Sequence, residues 1–356
     1  MDAAVKEVAR VALRLGITAF GGPAVHIAML REEVVTRRKW MSDEEFVDLL
    51  GATNLIPGPN STEMVLHCGF VRGGWRGFLA GGLFIVPAAL IVGACAWAYV
   101  TFGKTPAAEW ILYGIKPVII AVVLEAIWGL VKTTSKTPLA VVATIAAFAL
   151  YLLGINELAI LFGAGLLFIA LRTTMNVTLL AVSPELLRLF FSFLKIGAVL
   201  YGSGYVLLAF VRTEFVERLG WLTDRQILDA VAVGQFTPGP LFTTATFIGY
   251  LIGSWPGAVL ATIGIFLPSF VFVAITNPLV PRIRRSRIAS ALLDGVNAAA
   301  IGLMAGVTWQ LGRSAIVDWF TAILAVLSAI VLVRWRINSA WLVLAGALIA
   351  VIARLF

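Results

Sequence analysis

The residues best suited to chemistry in this chain are two Pro-Gly-Pro triplets, Pro57-Gly58-Pro59 and Pro238-Gly239-Pro240, each set in an apolar stretch. Asn54, Asn60, Ser61, Thr62 and Glu63 surround the first; Gln235, Thr237, Thr243, Thr244 and Thr246 surround the second. Proline on both sides of a glycine removes backbone donors and forbids a continuous helix, so each triplet predicts two short helices meeting at a break. A helix starting at such a break presents free N–H groups and partial positive charge, which attract anions. Hydroxyl and amide donors beside it suit an oxyanion. One isolated triplet reads more readily as a kink or tight turn, but two at equivalent positions favour a site.

Two cations, Arg14 and Lys195, precede glycine-rich segments, Phe20-Gly21-Gly22-Pro23 and Tyr201-Gly202-Ser203-Gly204. A cation within an apolar run is costly, by ~2.5 kcal/mol or more, so it has a partner, snorkels to the interface, or lines the path of an anion. The candidate substrate-binding set is therefore Arg14, Lys195, Gly21, Gly22, Gly202, Ser203, Asn54, Pro57 to Thr62, Gln235, Pro238 to Pro240 and Thr243. Within that set the first break contributes Pro57, Gly58, Pro59, Asn60, Ser61 and Thr62, and the second Pro238, Gly239 and Pro240. Glu63, His67 and Glu125 are the proton-coupling candidates, with His26 and Asp294 as further ionisable groups in apolar runs. Glu63 and His67, four apart, share a helical face, which suits either a relay or a satisfied hydrogen-bonded pair.

The elements that must hold these residues come from a duplication. At an offset of 181 residues, Leu13 to Pro87 falls on Leu194 to Pro268 without a gap. Arg14 meets Lys195, Glu33 meets Glu214, Asp48 meets Asp229, the two Pro-Gly-Pro triplets coincide, and Glu63 and His67 fall on Thr244 and Ile248. Each half reads as six hydrophobic stretches. The division is an N-terminal repeat over 1–172, a linker over 173–185 and a C-terminal repeat over 186–356. Gly77/Gly81, Gly249/Gly253 and Gly302/Gly306 have the spacing of close helix packing. Trp40-Met41-Ser42-Asp43 and Trp221-Leu222-Thr223-Asp224 read as interfacial tryptophans followed by helix caps, with Glu45 completing a capping box in the first copy.

Of the 356 residues, 60% are hydrophobic and only 13% charged, which makes the bilayer, not water, the solvent. The expected fold is an all-α polytopic membrane protein. The net charge of +8 comes from Lys and Arg at the ends of apolar runs, which orients a membrane protein and does not form a nucleic-acid patch. Cys68 and Cys95 have no metal or disulfide spacing, no cofactor is implied, and the N-terminal charges Lys6, Glu7, Arg10 and Arg14 argue for a retained N-terminus. Basic residues cluster after the first segment of half one (Arg31, Arg37, Arg38, Lys39) but after the third of half two (Arg282, Arg284, Arg285, Arg287). Basic loops on one side therefore require oppositely oriented halves of about five spans each, with each Pro-Gly-Pro segment re-entrant. Full crossings there give about twelve spans and parallel halves instead. Inverted repeats with broken helices are a transporter architecture, with substrate bound where the breaks face each other.

Phe20-Gly21-Gly22-Pro23, Trp40-Met41-Ser42-Asp43-Glu44-Glu45-Phe46 and Asn54-Leu55-Ile56-Pro57-Gly58-Pro59, followed by a degenerate second copy, together resemble the chromate ion transporter family, in its two-domain form. That resemblance implies a multi-pass protein of the cell (inner) membrane that exports chromate, with sulfate as an alternative oxyanion, and so confers chromate resistance. It also implies oppositely oriented halves. The second copy loses the proline of the first glycine motif. A homodimer is an assembly compatible with this reading. A passive anion channel, or a transporter of another tetrahedral oxyanion such as sulfate, is the competing function. An enzyme is not expected, because no paired metal-ligand histidines, nucleotide loop or nucleophile–base set occurs at diagnostic spacing.

Overall fold

The computed structural model describes residues 3–20, 23–53, 56–103, 105–134, 138–153, 184–200, 206–277, 315–335 and 339–353, with isolated positions at 155, 160 and between 302 and 313. Thirteen helices are followed here in chain order: α1 Ala3–Thr18, α2 Pro23–Arg31, α3 Asp43–Thr53, α4 Asn60–Gly81, α5 Ile85–Phe102, α6 Pro106–Thr134 and α7 Pro138–Leu152 in half one. In half two they are α8 Pro184–Val199, α9 Leu207–Arg212, α10 Asp224–Phe236, α11 Thr244–Thr276, α12 Trp319–Trp335 and α13 Ser339–Ala353. No strand occurs among the described residues, so the chain is all-α as its composition requires.

The duplication is visible element by element. α1 and α8 begin and end at equivalent residues, and π-helical turns at Glu32–Arg37 and Thr213–Arg218 follow α2 and α9. Capping boxes start α3 and α10. The Glu45 N–H donates to Ser42 Oγ at 3.2 Å and the Ser42 N–H to Glu45 Oε2 at 2.7 Å. Thr223 and Gln226 repeat the exchange at 3.3 and 2.9 Å, so the second copy carries a box as well.

α4 and α11 are not straight. Gly69 and Gly77 lie eight residues apart, about 12 Å along a continuous helix. A Cβ on either would nevertheless collide with the other's carbonyl. The chain therefore turns back at Gly73-Gly74, where φ/ψ are −137°/19° and 57°/−149°. Gly249 and Gly257 make the same approach around Gly253-Ser254, at −139°/26° and 52°/−147°. Each half thus contains a helical hairpin, short arm then long arm. The apolar stretches Asn60–Phe102 and Leu241–Thr276 are each such a hairpin. Trp75 and Trp255 stand exposed just after the turns, packed edge-on against Phe70 and Tyr250 at centroid distances of 5.1 and 5.3 Å.

These hairpins correct the ungapped register. Their glycines and tryptophans correspond at an offset of 180 (254 − 74), while Gly16 against the Phe84 carbonyl and Gly197 against the Ile265 carbonyl keep 181 (265 − 84). The cause is helix type. Leu241–Thr243 is a 3₁₀ turn where half one has α-helix, and Gly82–Phe84 is one where half two has α-helix. Three residues of 3₁₀ helix rise about 6 Å, as do four of α-helix, so each copy is one residue shorter where it has tightened. Thr53 Oγ1 meets Met64 Sδ at 3.2 Å and Gly234 packs on Thr244, which equates Met64 with Thr244. The counterpart of Glu63 is therefore Thr243, and that of His67 is Phe247.

The halves interleave. Gly114 of α6 packs on Gly346 of α13, and α6 also packs on α12, while Gly302 and Gly306 pack on α7 at Ala147 and Tyr151. The fourth stretch of each half thus packs against the fifth stretch of the other. Outside, Leu79, Leu90, Val142, Ile145 and Leu348 are more than half exposed, with Trp309, Trp319 and Trp341 among them, a surface that suits hydrocarbon and its interfaces.

Candidate functional site

Pro57-Gly58-Pro59 joins α3 to α4 and Pro238-Gly239-Pro240 joins α10 to the 3₁₀ turn that opens α11; all six residues are buried and outside any helix. The N-cap positions are Pro59 and Pro240, and no side chain caps either start. The Thr62 and Thr243 N–H groups turn back to the Pro59 and Pro240 carbonyls at 2.8 and 3.0 Å, and each half-helix start carries the partial positive charge of its dipole.

Each break is lodged in the opposite half. The Gly58 N–H donates to the Leu200 carbonyl at 2.7 Å and the Gly239 N–H to the Ala19 carbonyl at 2.9 Å. Ala19 and Leu200 are themselves equivalent, the residues that directly follow α1 and α8, so the two bonds form a reciprocal pair about a local two-fold. Both glycines have positive φ, +136° and +92°. A side chain on Gly58 would strike Glu63 and the Ser269 hydroxyl; one on Gly239 would strike Ala88, the residue equivalent to Ser269. Only glycine meets the backbone and the space together.

The two copies then diverge. Glu63, fully buried in the first turn of α4, has both carboxyl oxygens without a hydrogen bond of ordinary geometry, as has the Ser269 hydroxyl facing it across Gly58. His67 Nδ1 donates not to Glu63 but to Asn277 Oδ1 at 2.6 Å, at the far end of α11, and its Nε2 is unpartnered. Glu125 lies exposed on α6, apart from this cluster. His26 Nε2 reaches the same Ala19 carbonyl at 3.0 Å, a contact that Leu207 does not reproduce in half two. Ser61, Thr62, Gln235 and Thr243 are buried beside the breaks and Asn60 is half-buried; Thr243 Oγ1 donates to the Pro240 carbonyl at 2.8 Å. Gly21, Gly22, Asn54, Gly202 and Ser203 lie outside the described residues, as does Asp294.

Arg14 and Lys195 stand one turn before the ends of α1 and α8, and each has an equivalent acid. Lys195 Nζ donates to Glu214 Oε2 at 2.8 Å; Arg14 approaches Glu33 only to 3.6 Å, with its side chain 57% exposed. Glu33 is held more closely by Arg38 at 2.8 Å, and Glu214 also accepts from Ser192 and Arg218. The acids sit on the π-helical turns, at equivalent positions in the two copies.

One charged group was not marked by sequence spacing. Asp229, fully buried on α10, accepts from the Tyr99 hydroxyl at 2.8 Å and pairs with Lys116 Nζ of α6 at 3.2 Å. The available signal was weak: an aspartate shared by both copies, and a lysine before Pro117 in an apolar helix. Among the described residues no cluster of His, Cys, Asp and Glu could hold a metal ion.

A duplicated all-helical membrane protein whose broken helices exchange ends between its halves belongs among the transporters in architecture. The chromate transporter family profile matches residues 6–169 and 187–351, one match per half, and the chain belongs to that family. It is 32% identical to the chromate transport protein of Cupriavidus metallidurans over 94% of this chain and 89% of that one. It is 33% identical to the chromate transport protein of Pseudomonas aeruginosa over 85% and 79%. The transporter YwrA of Bacillus subtilis matches 45% of this chain with 92% of its own length at 27% identity, and so is the size of one half. No solved structure matches the chain.

Proposed function

We propose that the protein is a secondary transporter that exports chromate across the cell (inner) membrane and so confers chromate resistance, with sulfate-like dianions as alternative cargo. The observation that carries this reading is the reciprocal pair Gly58–Leu200 and Gly239–Ala19, which anchors both uncapped half-helix starts in the opposite half. The tetrahedral dianion lies between them. It is held by the positive helix starts and takes hydrogen bonds from Asn60, Ser61, Thr62 and Gln235, with Thr243 lining the site and Arg14 and Lys195 adding positive charge. Asn54 and the glycines of the 21–22 and 202–203 segments complete the path. The two-fold exchange and the unequal basic loops support inverted halves of about five spans each, with re-entrant Pro-Gly-Pro segments.

Glu63 supplies coupling in this reading. An ionised carboxylate in the first turn of α4 competes with a dianion for the same positive helix end, so Glu63 carries a proton when the dianion is bound and releases it when the site empties. That proton lowers the net charge moved from two to one. His67, tied to Asn277, is a way out for the proton, and Glu125 is peripheral.

The test is flux of labelled chromate and labelled sulfate in proteoliposomes under imposed voltage and pH gradients. Chromate movement that follows the gradient and moves against a concentration difference supports the transporter. Flux that only dissipates a chromate gradient identifies a passive anion channel, and no flux of either anion defeats the reading.

A further inference from the structure

The exposed face of α1 carries three cations, Lys6, Arg10 and Arg14, each four residues and about 6 Å further along the helix than the last. The other face, with Val5, Val8, Ala12 and Leu15, is buried. Four residues past Arg14 the exposed face ends at Thr18, whose hydroxyl donates to the Arg14 carbonyl at 2.8 Å. The next residue is Ala19, which holds the second break through Gly239. Leu13 and Ile17 share the exposed face, so the three cations are its charged groups. A line of positive charge therefore runs from the first turn of α1 to the broken helices.

The acids at this end of the molecule are engaged by other arginines. Glu7 accepts from Arg38 at 3.0 Å and from Arg72 at 2.8 Å, Glu33 from Arg38 at 2.8 Å, and Glu32 from Arg37 at 3.2 Å. Lys6 and Arg10 form no ion pair among the described residues, and Arg14 comes only to 3.6 Å of Glu33. Arg14 lies about 17 Å along α1 from Ala3, more than half of the ~30 Å hydrocarbon thickness. An arginine turned to lipid at such a depth is costly, so a face with two further cations leading to it borders water and its anions. Half two has no such line. α8 keeps Lys195 at the position equivalent to Arg14, but Leu187 and Phe191 stand where half one has Lys6 and Arg10.

We propose that Lys6 and Arg10 form, with Arg14, an anion-collecting ladder that passes a tetrahedral dianion from the membrane surface to the site between the breaks, on the side of the α1 start only. The inference rests on the reading that an oxyanion is the cargo, and adds to it two residues and a side. Each step exchanges one exposed cation for the next, so no buried charge loses its partner. In oppositely oriented halves the equivalent end of α8 opens on the other side, where Leu187 and Phe191 offer a departing dianion no matching hold. Capture is then one-sided, which suits net movement in one direction.

The experiment is initial chromate uptake, as a function of chromate concentration, into inside-out and right-side-out membrane vesicles, with protease access to an N-terminal tag showing which preparation exposes the start of α1. Each is measured at low ionic strength and with added potassium chloride. Wild type is compared with Lys6→Gln/Arg10→Gln and with Arg10→Lys, which keeps the charge. Lys39→Gln/Arg76→Gln removes two exposed cations near Arg38 and Arg72 but off α1, and is the control for general surface charge. With chromate on the side of the α1 start, half-saturation at low salt rises about tenfold in Lys6→Gln/Arg10→Gln, with maximal rate within about twofold, and added salt closes the gap by screening exposed charge. Arg10→Lys and the control stay within about twofold of wild type, as does Lys6→Gln/Arg10→Gln with chromate on the other side. Lys6 and Arg10 are exposed, so their replacement leaves folding intact. Unchanged half-saturation in Lys6→Gln/Arg10→Gln, an equal rise from both sides, or an equal rise in the control overturns the ladder. A wild type without chromate flux in either preparation defeats the oxyanion reading itself, so the two failures are distinct.

Discussion

Gly58 and Leu200, which come from different halves of the chain, are joined by a 2.7 Å backbone hydrogen bond that Gly239 and Ala19 repeat at 2.9 Å. Glycine at 58 and 239 is demanded by φ and by contact together. Gly58→Ala and Gly239→Ala should each lower chromate uptake more than tenfold, since a positive φ alone costs a non-glycine residue about 1–2 kcal/mol before any collision. The nearest obstacle to an alanine at 239 is Ala88. Gly239→Ala/Ala88→Gly should therefore recover part of the uptake, measured in vesicles at equal protein, while Gly58→Ala/Ala88→Gly should recover none.

The paired cations should behave differently although their positions are equivalent. Lys195→Gln removes a 2.8 Å partner from buried Glu214 and should cost about 1–2 kcal/mol of stability, read as a lower unfolding temperature in detergent. Arg14→Gln should leave stability within ~0.5 kcal/mol, because Arg14 comes no closer than 3.6 Å to Glu33 and its side chain is 57% exposed. Both should depress chromate flux. Loss of stability without loss of flux would assign Lys195 a structural role alone.

Each copy identifies strain in the other. Ser254 has φ 52° where the equivalent residue is Gly74, and Lys39 has φ 53° where the equivalent is Gly220 at 63°. Ser254→Gly and Lys39→Gly should each stabilise the protein by about 1 kcal/mol, visible as a higher unfolding temperature, with transport unchanged. Glycine at the reverse-turn positions removes the Cβ clash, and the two gains should add because the sites share no element.

Glu63→Gln fixes the protonated shape of the side chain. Chromate flux should persist in this variant, but proton movement with chromate should vanish, and the pH dependence of flux with it. A pH profile identical to wild type would remove Glu63 from the coupling scheme and leave His67 to be tested by His67→Asn.

Much of the architecture was readable because the duplication is itself a physical constraint. The Pro-Gly-Pro breaks, the Ser42 cap and the equivalence of Arg14 with Lys195 all follow from residue type and spacing. The one-residue shifts were not readable, since a 3₁₀ turn and an α turn differ in rise and not in any signature residue, and the ungapped alignment absorbed the two compensating shifts. The pairing of Arg14 and Lys195 with Glu33 and Glu214 joins residues on separate helical elements in each copy, and no local sequence pattern marks it. Lys116 and Asp229 come from different halves, and no local pattern brings them together. The reciprocal use of Ala19 and Leu200 is equally hidden, because a backbone carbonyl carries no sequence label.

The central claim is that both breaks hold one oxyanion, and labelling of single cysteines at Ser61 and Thr243 tests it most directly. With Cys68 and Cys95 replaced, the rate of maleimide labelling is followed as molybdate, a non-oxidising tetrahedral dianion, is added over the range in which it competes with chromate flux. The account predicts that molybdate slows labelling at both positions with the same half-effective concentration. Unchanged labelling at either position, in variants whose chromate flux molybdate still inhibits, would contradict it.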